Sequence, residues 1–559
     1  MEKLEGGQMG SSVKLEATQS ADGSASLSVV PVEDQHDSPH RAGGVISWQA
    51  CVDHRDTLLI VGAWAVWLAY VIAACVVNFH RARLLLALTL VALVFRCWSC
   101  LSRRCDWSLG AVVDSVQDWA RSHPRTVCLL SVVALVVASA CWITIDVWMD
   151  PRRLIPVAGL LVMVGGLYVS SQHRQAVKWR PVISGILMQL TLGVIILRTE
   201  PGYEAFRWFS ELVQTFFSHA DAGSRFVFGE NYEQFFFAFK VLPVIIYFGS
   251  IVSVAYHVGL LQHIFAALSV VLQCILGTSA AESFVAAANI FIGQTEAPLL
   301  IRPFLKDLTS SEMHCVMTCG FATIAGGVLA AYISFGVPAQ HLVAASVLSC
   351  PAALAAAKLS YPETEELKLK VSSAADVVAA AECSNDHNIV DAAVNGALAA
   401  VNVVVGVAAG LIAFLSIWSL LDSVVALGGE MVGIEGVSVS LICSYLFWPV
   451  AFLLGVPAED CGRVAELLGE KTFLNEFVAY LHLSELVAQG ELSRRAEVIA
   501  TYALCGFSNI GSLGIMLGGL GPLVPERRGE LAGMVVRAMI CGNIACFMTA
   551  CVAGMLYED

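Results

Sequence analysis

Glu296 and Glu476 are acidic residues set in apolar sequence, and each is followed by nearly the same phrase: CGFATIAGG at 319–327, 23 residues after Glu296, and CGFSNIGSL at 505–513, 29 residues after Glu476. An ionisable group at membrane depth is costly to keep and marks a functional site by default. Gln294 and Thr295 precede Glu296, so three hydrogen-bonding side chains stand in a row; near the second phrase Asn509 and Ser512 add an amide and a hydroxyl beside Phe507. Carboxylates accept from hydroxyls, an amide both donates and accepts, and an aromatic face offers apolar contact to a flat ring. The set suits a polyhydroxylated ring compound. A chance recurrence of small residues at helix contacts would account for the repeated phrase but leaves the paired acids unexplained. An acid/base pair in an intramembrane hydrolase is a further alternative, yet the chain has no HExxH, GxSxG or phosphate-binding loop.

The elements that must position these residues are membrane helices. Hydrophobic residues make up 57% and charged residues 14% of the 559, with a mean hydropathy of +0.72, far from the roughly 25% charged residues of a soluble domain. The apolar runs are long enough to cross a core about 30 Å thick, and nothing alternates like a barrel strand. The fold class expected is an all-α polytopic membrane protein of about 11 transmembrane helices plus two re-entrant hairpins in internal inverted repeats. The net charge of −14 sits partly in the tail and loops and forms no basic stripe, which argues against nucleic-acid binding. Most of the eighteen cysteines stand singly in apolar segments, where a free thiol behaves as a small hydrophobe. Cys97, Cys100 and Cys105 lack the second pair or histidines of a zinc site.

Residues 1–50 read as a disordered cytoplasmic tail without the apolar core of a signal peptide. Residues 51–150 carry extra N-terminal helices near 57–78, 83–101 and 126–147, and spans near 154–171 and 181–198 follow. Loops at 102–125 and 172–180 hold seven Lys or Arg against four at 79–83 and 148–153, favouring an inside N-terminus. Tyr203 to Ala220 spaces Phe206, Phe209, Leu212, Val213, Phe216 and Phe217 as an interfacial amphipathic helix. Within 151–276 these are scaffold and interfacial helices, completed by Phe235 to His257 and Leu260 to Leu276. From 277 to 421 comes a first hairpin repeat, interrupted by polar residues and by Pro298 and Pro303, which lack backbone donors, then spans at 314–335 and 339–358 and a long helix at 390–421. Residues 422–559 hold a scaffold helix at 437–455, a second hairpin at 462–485, and helices at 497–520 and 530–555. Backbone broken in this way must be buried in protein or line a water-filled cavity, and paired interruptions in internal repeats point to a secondary transporter's central site.

GQTEAPLLIRP (293–303), NEFVAY (475–480), CGFSN (505–509) with GSLGIMLGGL (511–520), and LRTEPGYEAF (197–206) closely resemble the concentrative nucleoside transporter family over roughly 181–542. The resemblance implies a homotrimer in the plasma membrane whose protomers move a transport domain past a scaffold in elevator fashion, with sodium as coupling ion and no other cofactor. It assigns Gln294, Thr295, Glu296 and Val328 to the nucleobase end of the site, and Glu476, Asn509 and Ser512 to the ribose, with Phe507 packed nearby. The sodium ligands fall on Asn289, Ile292, Thr323 and Ile324, the last three offering carbonyls or a hydroxyl at an unwound turn. Ser508, Ile510 and Gly511 depart from the usual CGFANFSS, so a hydroxyl beside Ser512 is missing and fine substrate preference is open. A proton-coupled nucleoside or nucleobase symporter is the alternative, because Cys505 matches a position linked with proton coupling in some members. A channel would need a continuous pore, which hairpin pairs disfavour. Gly514 and Gly518 read as a close helix contact, Lys240 and Asp391 as a pair or a water-lined couple, and His257 and His263 as interfacial.

Overall fold

The computed structural model describes residues 67, 69–71, 89, 151–366 and 386–558, and every regular element among them is helical. The chain divides into two compact units, Met1–Asp106 and Trp107–Asp559. In the first, Trp67 Nε1 donates to the Thr89 hydroxyl at 3.1 Å. The tail expected at 1–50, the 126–147 helix, the rest of 57–78 and 83–101, and Cys97, Cys100 and Cys105 lie outside the described residues.

The second unit opens with α1 (Leu154–Ser170), α2 (Trp179–Arg198) and the amphipathic α3 (Glu200–Ser218), followed by α4 (Ala220–Phe228). A 3-10 turn (Tyr232–Phe235) and a π turn (Phe236–Val241) lead into α5 (Leu242–His257), and α6 (Leu260–Leu276) ends where Gly277, at φ 74°, takes the left-handed cap. The first hairpin comprises α7 (Ala280–Ala288) and a 3-10 arm (Ala297–Phe304) kinked at Ile301. Then come α8 (Ser310–Ala322), α9 (Gly326–Ser334), α10 (Ala339–Ser360), α11 (Ile389–Met431) and α12 (Val439–Leu453). The second hairpin is α13 (Cys461–Phe473) with α14 (Glu476–Ala488), and α15 (Arg494–Leu504), α16 (Ile510–Leu520) and α17 (Arg528–Leu556) complete the chain.

Local sequence explains the starts. Reciprocal capping boxes open α7 through Ser279 and Glu282 and α8 through Thr309 and Glu312, while Asn475 and Asn509 cap α14 and α16. Seven segments among the described residues are long and apolar enough to cross a membrane. Those at α10 and α17 are buried on almost every side, whereas α11 is exposed nearly all round. The 43 residues of α11 extend about 65 Å, twice the hydrocarbon thickness, and continue past the expected end at 421.

Two segments expected to run continuously do not. The span at 314–335 parts at Thr323–Ala325 into α8 and α9, and the helix at 497–520 parts after Leu504 into α15 and α16. At the first break Thr323 is extended, at φ −126° and ψ 168°. Its carbonyl accepts from Phe507 N of the second break at 3.2 Å, and Gly326 N donates to Phe291 O of the first hairpin tip at 3.0 Å. Lys240 and Asp391 do not pair: Lys240 meets Glu233 at 2.9 Å, and Asp391 accepts from His387 N and Asn395. Nor do Gly514 and Gly518 make a close contact, since both face open space; the tight glycine of α16 is Gly519.

The long α11 crosses α5 where Gly249 and Ser253 face Gly396 and Ala400. A Cβ on Gly396 would lie 2.5 Å from the Gly249 carbonyl oxygen and overlap Ser253. Small residues let backbones approach in lipid, and overpacking costs about 1–3 kcal/mol. Gly396→Val should therefore lower the melting temperature of the detergent-solubilised protein by several degrees, while Gly166→Val, at an open position of α1, leaves it near wild type.

Candidate functional site

Glu476 is the first residue of α14, where the Asn475 side chain accepts from Val478 N at 3.1 Å and fixes the helix start. An anion is favoured at a helix N-terminus. The carboxylate is 3% exposed, with Tyr332 Oη donating to Oε1 at 3.2 Å and Asn509 Nδ2 to Oε2 at 2.7 Å. Asn509 itself caps α16, its Oδ1 accepting from Ser512 N at 2.8 Å. Glu476, Asn509 and Ser512 are therefore brought together as expected, and Phe507 stands half-buried at the same break. Each Glu476 oxygen keeps a lone pair for a further donor. Gly511, where a hydroxyl was missed, faces Phe414: a Cβ there would sit 3.1 Å from its ring.

The first hairpin tip supplies the second cluster. Gln294 is buried with Oε1 unpartnered, and its Cβ would be only 2.8 Å from a Cβ on Gly320, so the glycine of the first CGF phrase admits it. Thr295 packs likewise on Gly519. Glu296 accepts from Gly293 N at 3.2 Å and turns an exposed side toward a cavity of about 410 Å³ that Val328, Phe248, Ser253 and Tyr256 also line.

Beside that tip lies a set of oxygen donors. Asn289 is 0% exposed and both of its amide atoms lack a partner, an arrangement that buried polar groups avoid unless a ligand serves them. No N–H among the described residues reaches the carbonyls of Ile292 or Ile324. The Thr323 hydroxyl donates to Cys319 O at 2.8 Å, which leaves its lone pairs free, but the Thr323 carbonyl is already engaged by Phe507 N. Neutral oxygens around an unwound turn fit a hard monovalent cation.

Three residues at the site went unread in the sequence. Tyr332 stands four residues after Val328 on the same face of α9, a spacing that could have disclosed it; its ring stacks on Tyr480 with centroids 4.3 Å apart. The Cys546 thiol donates to Cys505 O at 3.2 Å and Ala322 O at 3.6 Å, joining the two breaks. Lys471 is 0% exposed, with Nζ on Ala503 O at 2.8 Å.

Family models place the chain. Those described as the Na+ dependent nucleoside transporter N-terminus and C-terminus match residues 158–231 and 341–554, and one described as nucleoside recognition, Gate, matches 238–339. Solute carrier family 28 member 3 of Eptatretus stoutii is 46% identical over 514 residues, spanning 89% of this chain and 74% of that protein. Sodium/nucleoside cotransporter 1 of Homo sapiens is 44% identical over 505 residues, spanning 88% and 76%. Among solved structures, CNTnw in an inward-facing substrate-bound state superposes with a TM-score of 0.68 at 34% identity, covering 72% of this chain and 98% of that one. A CNTnw variant in an outward-facing state gives 0.67 at 34%, covering 72% and 97%.

Tyr332→Phe keeps the ring stack and deletes one donor to Glu476. Hydrogen bonds to charged groups contribute roughly 1.5–3 kcal/mol, so the substrate concentration for half-maximal uptake should rise roughly ten- to a hundredfold with the amount of protein in the membrane unchanged.

Proposed function

The chain belongs to the Na+ dependent nucleoside transporter family, and from that membership we propose that it imports both purine and pyrimidine nucleosides on the sodium gradient by an elevator movement within each protomer of a plasma-membrane homotrimer. The relatives named above are transporters, and the multi-pass helical fold is theirs. The observation that carries the reading is the buried Glu476 carboxylate oriented by Tyr332 and Asn509, a clamp for vicinal hydroxyls. Glu476, Asn509 and Ser512 hold the ribose, with Phe507 against it. Gln294, Thr295 and Glu296 meet the base edge, and Val328 forms an apolar wall. Asn289, Ile292, Thr323 and Ile324 hold the sodium ion. Similarity to both inward- and outward-facing states of CNTnw supports alternating access, with the hairpins and broken helices of 277–421 and 422–559 moving against scaffold helices of 151–276.

The driving force suffices. A charge crossing 100 mV gains roughly 2.3 kcal/mol, and a tenfold sodium gradient adds roughly 1.4 kcal/mol, so one ion per cycle supports accumulation of several hundredfold. Sodium should be required: uridine uptake into vesicles should collapse when choline replaces sodium at fixed pH, and Asn289→Ala should raise the sodium concentration for half-maximal uptake sharply. Undiminished uptake in choline would defeat the sodium assignment.

Breadth follows from the base end. Gly293 and Gln294 leave room and a reorientable amide that can donate or accept, while a methylene-scale difference at Val328 discriminates by only about 1–3 kcal/mol. Unlabelled guanosine and unlabelled cytidine should each block labelled uridine uptake; failure of either at saturating concentration would show a selective pocket.

A further inference from the structure

The two repeats treat their broken helices differently. In the first, the turn after α8 faces an unpartnered amide at Asn289, just past the end of the hairpin's first arm. In the second, Lys471 lies near the end of the first arm, α13, and its ammonium binds Ala503 O at the C-terminal end of α15. That end concentrates partial negative charge, because the last carbonyls of a helix have no partner within it. Lys471 is fully buried, and none of the ion pairs among the described residues includes it. Its Nζ otherwise lies 5.6 Å over the centre of the Phe547 ring, and its charge acts on the Glu476 carboxylate five residues on. A buried cation without a bonded counter-ion is expensive to retain. Tyr480 Oη and the Cys546 thiol take the neighbouring carbonyls of Thr501 and Cys505, so the whole end of α15 is closed by side chains.

We propose that Lys471 is the built-in cation of the second repeat: it occupies the carbonyl end of the broken helix as the mobile ion does in the first, and it holds Glu476 as a carboxylate in position for the ribose. Lys471 is thus a positioning residue, acting on substrate through Glu476. The comparison between repeats rests on the sodium reading of Asn289; the Lys471–Glu476 coupling does not.

The test combines transport and stability. In Lys471→Met the uridine KM should rise at least tenfold with maximal rate changed by less than threefold. Raising sodium, but not choline, to several hundred millimolar should lower that KM again, as a free cation enters the vacated end, and Lys471→Arg should stay within threefold of wild type. Unchanged KM in Lys471→Met would overturn the proposal, as would a loss that sodium and choline relieve equally. Where Lys471→Met folds too poorly for uptake, thermal melting of the purified protein decides: the double variant Lys471→Met with Glu476→Gln should melt above Lys471→Met alone, because it removes the uncompensated carboxylate. A double variant no more stable than the single one overturns the coupling, and this reading is independent of whether sodium drives the wild type.

Discussion

Backbone that leaves a helix at membrane depth has no water to fall back on, and the structure depends on how its two breaks meet that demand. Each freed group needs a partner inside the protein. Thr323 O and Phe507 N satisfy each other across the repeats, and Gly326 N takes Phe291 O from the hairpin tip. Cys546 reaches carbonyls of both breaks from α17. The two hairpins and the two broken helices are consequently one bonded unit, and the packing of α8, α10 and α17, buried on nearly all sides, encloses it. The exposed face of α11 has the opposite character: its side chains are apolar all round, as a helix meeting lipid or another chain requires.

Much of this arrangement was legible because it is written in local chemistry. Polar residues and prolines interrupt the first hairpin at 289–303, and the 3-10 arm with its kink at Ile301 follows them. The duplicated CGF phrase marked both breaks, and the acids at fixed distances before it marked both tips. What composition could not supply was direction. Residues 314–335 and 497–520 are apolar enough to read as continuous spans; the break arises from contacts that Thr323 and Phe507 make with each other across 184 residues of sequence. Hydropathy sums side chains and is blind to where a backbone carbonyl points.

Long-range partners were illegible for the same reason. Lys240 and Asp391 are each satisfied by neighbours a few residues away, which a search for distant charge pairs overlooks. Gly514 and Gly518 carry the spacing of a helix contact, yet Gly519, one residue on, receives Thr295, because the face of α16 turned to the hairpin is fixed by tertiary packing. Tyr332 reaches Glu476 across 144 residues, and only its register with Val328 on α9 carried a hint.

The choice of Asn at the cap of α16 shows how folding and binding share atoms. Serine, threonine and aspartate cap helices about as well as asparagine, so capping alone does not select it. Aspartate would place a second carboxylate against Glu476 with no donor between them, and a serine hydroxyl is too short to accept from the helix and also span to a carboxylate. An amide has an acceptor and two donors on a rigid plane. Asn509 spends Oδ1 on Ser512 N at 2.8 Å and Nδ2 on Glu476 at 2.7 Å, so the plane fixed by the start of one helix sets the carboxylate at the start of another. Because the same amide holds the helix and the acid, the position of Glu476 follows from the geometry of the break.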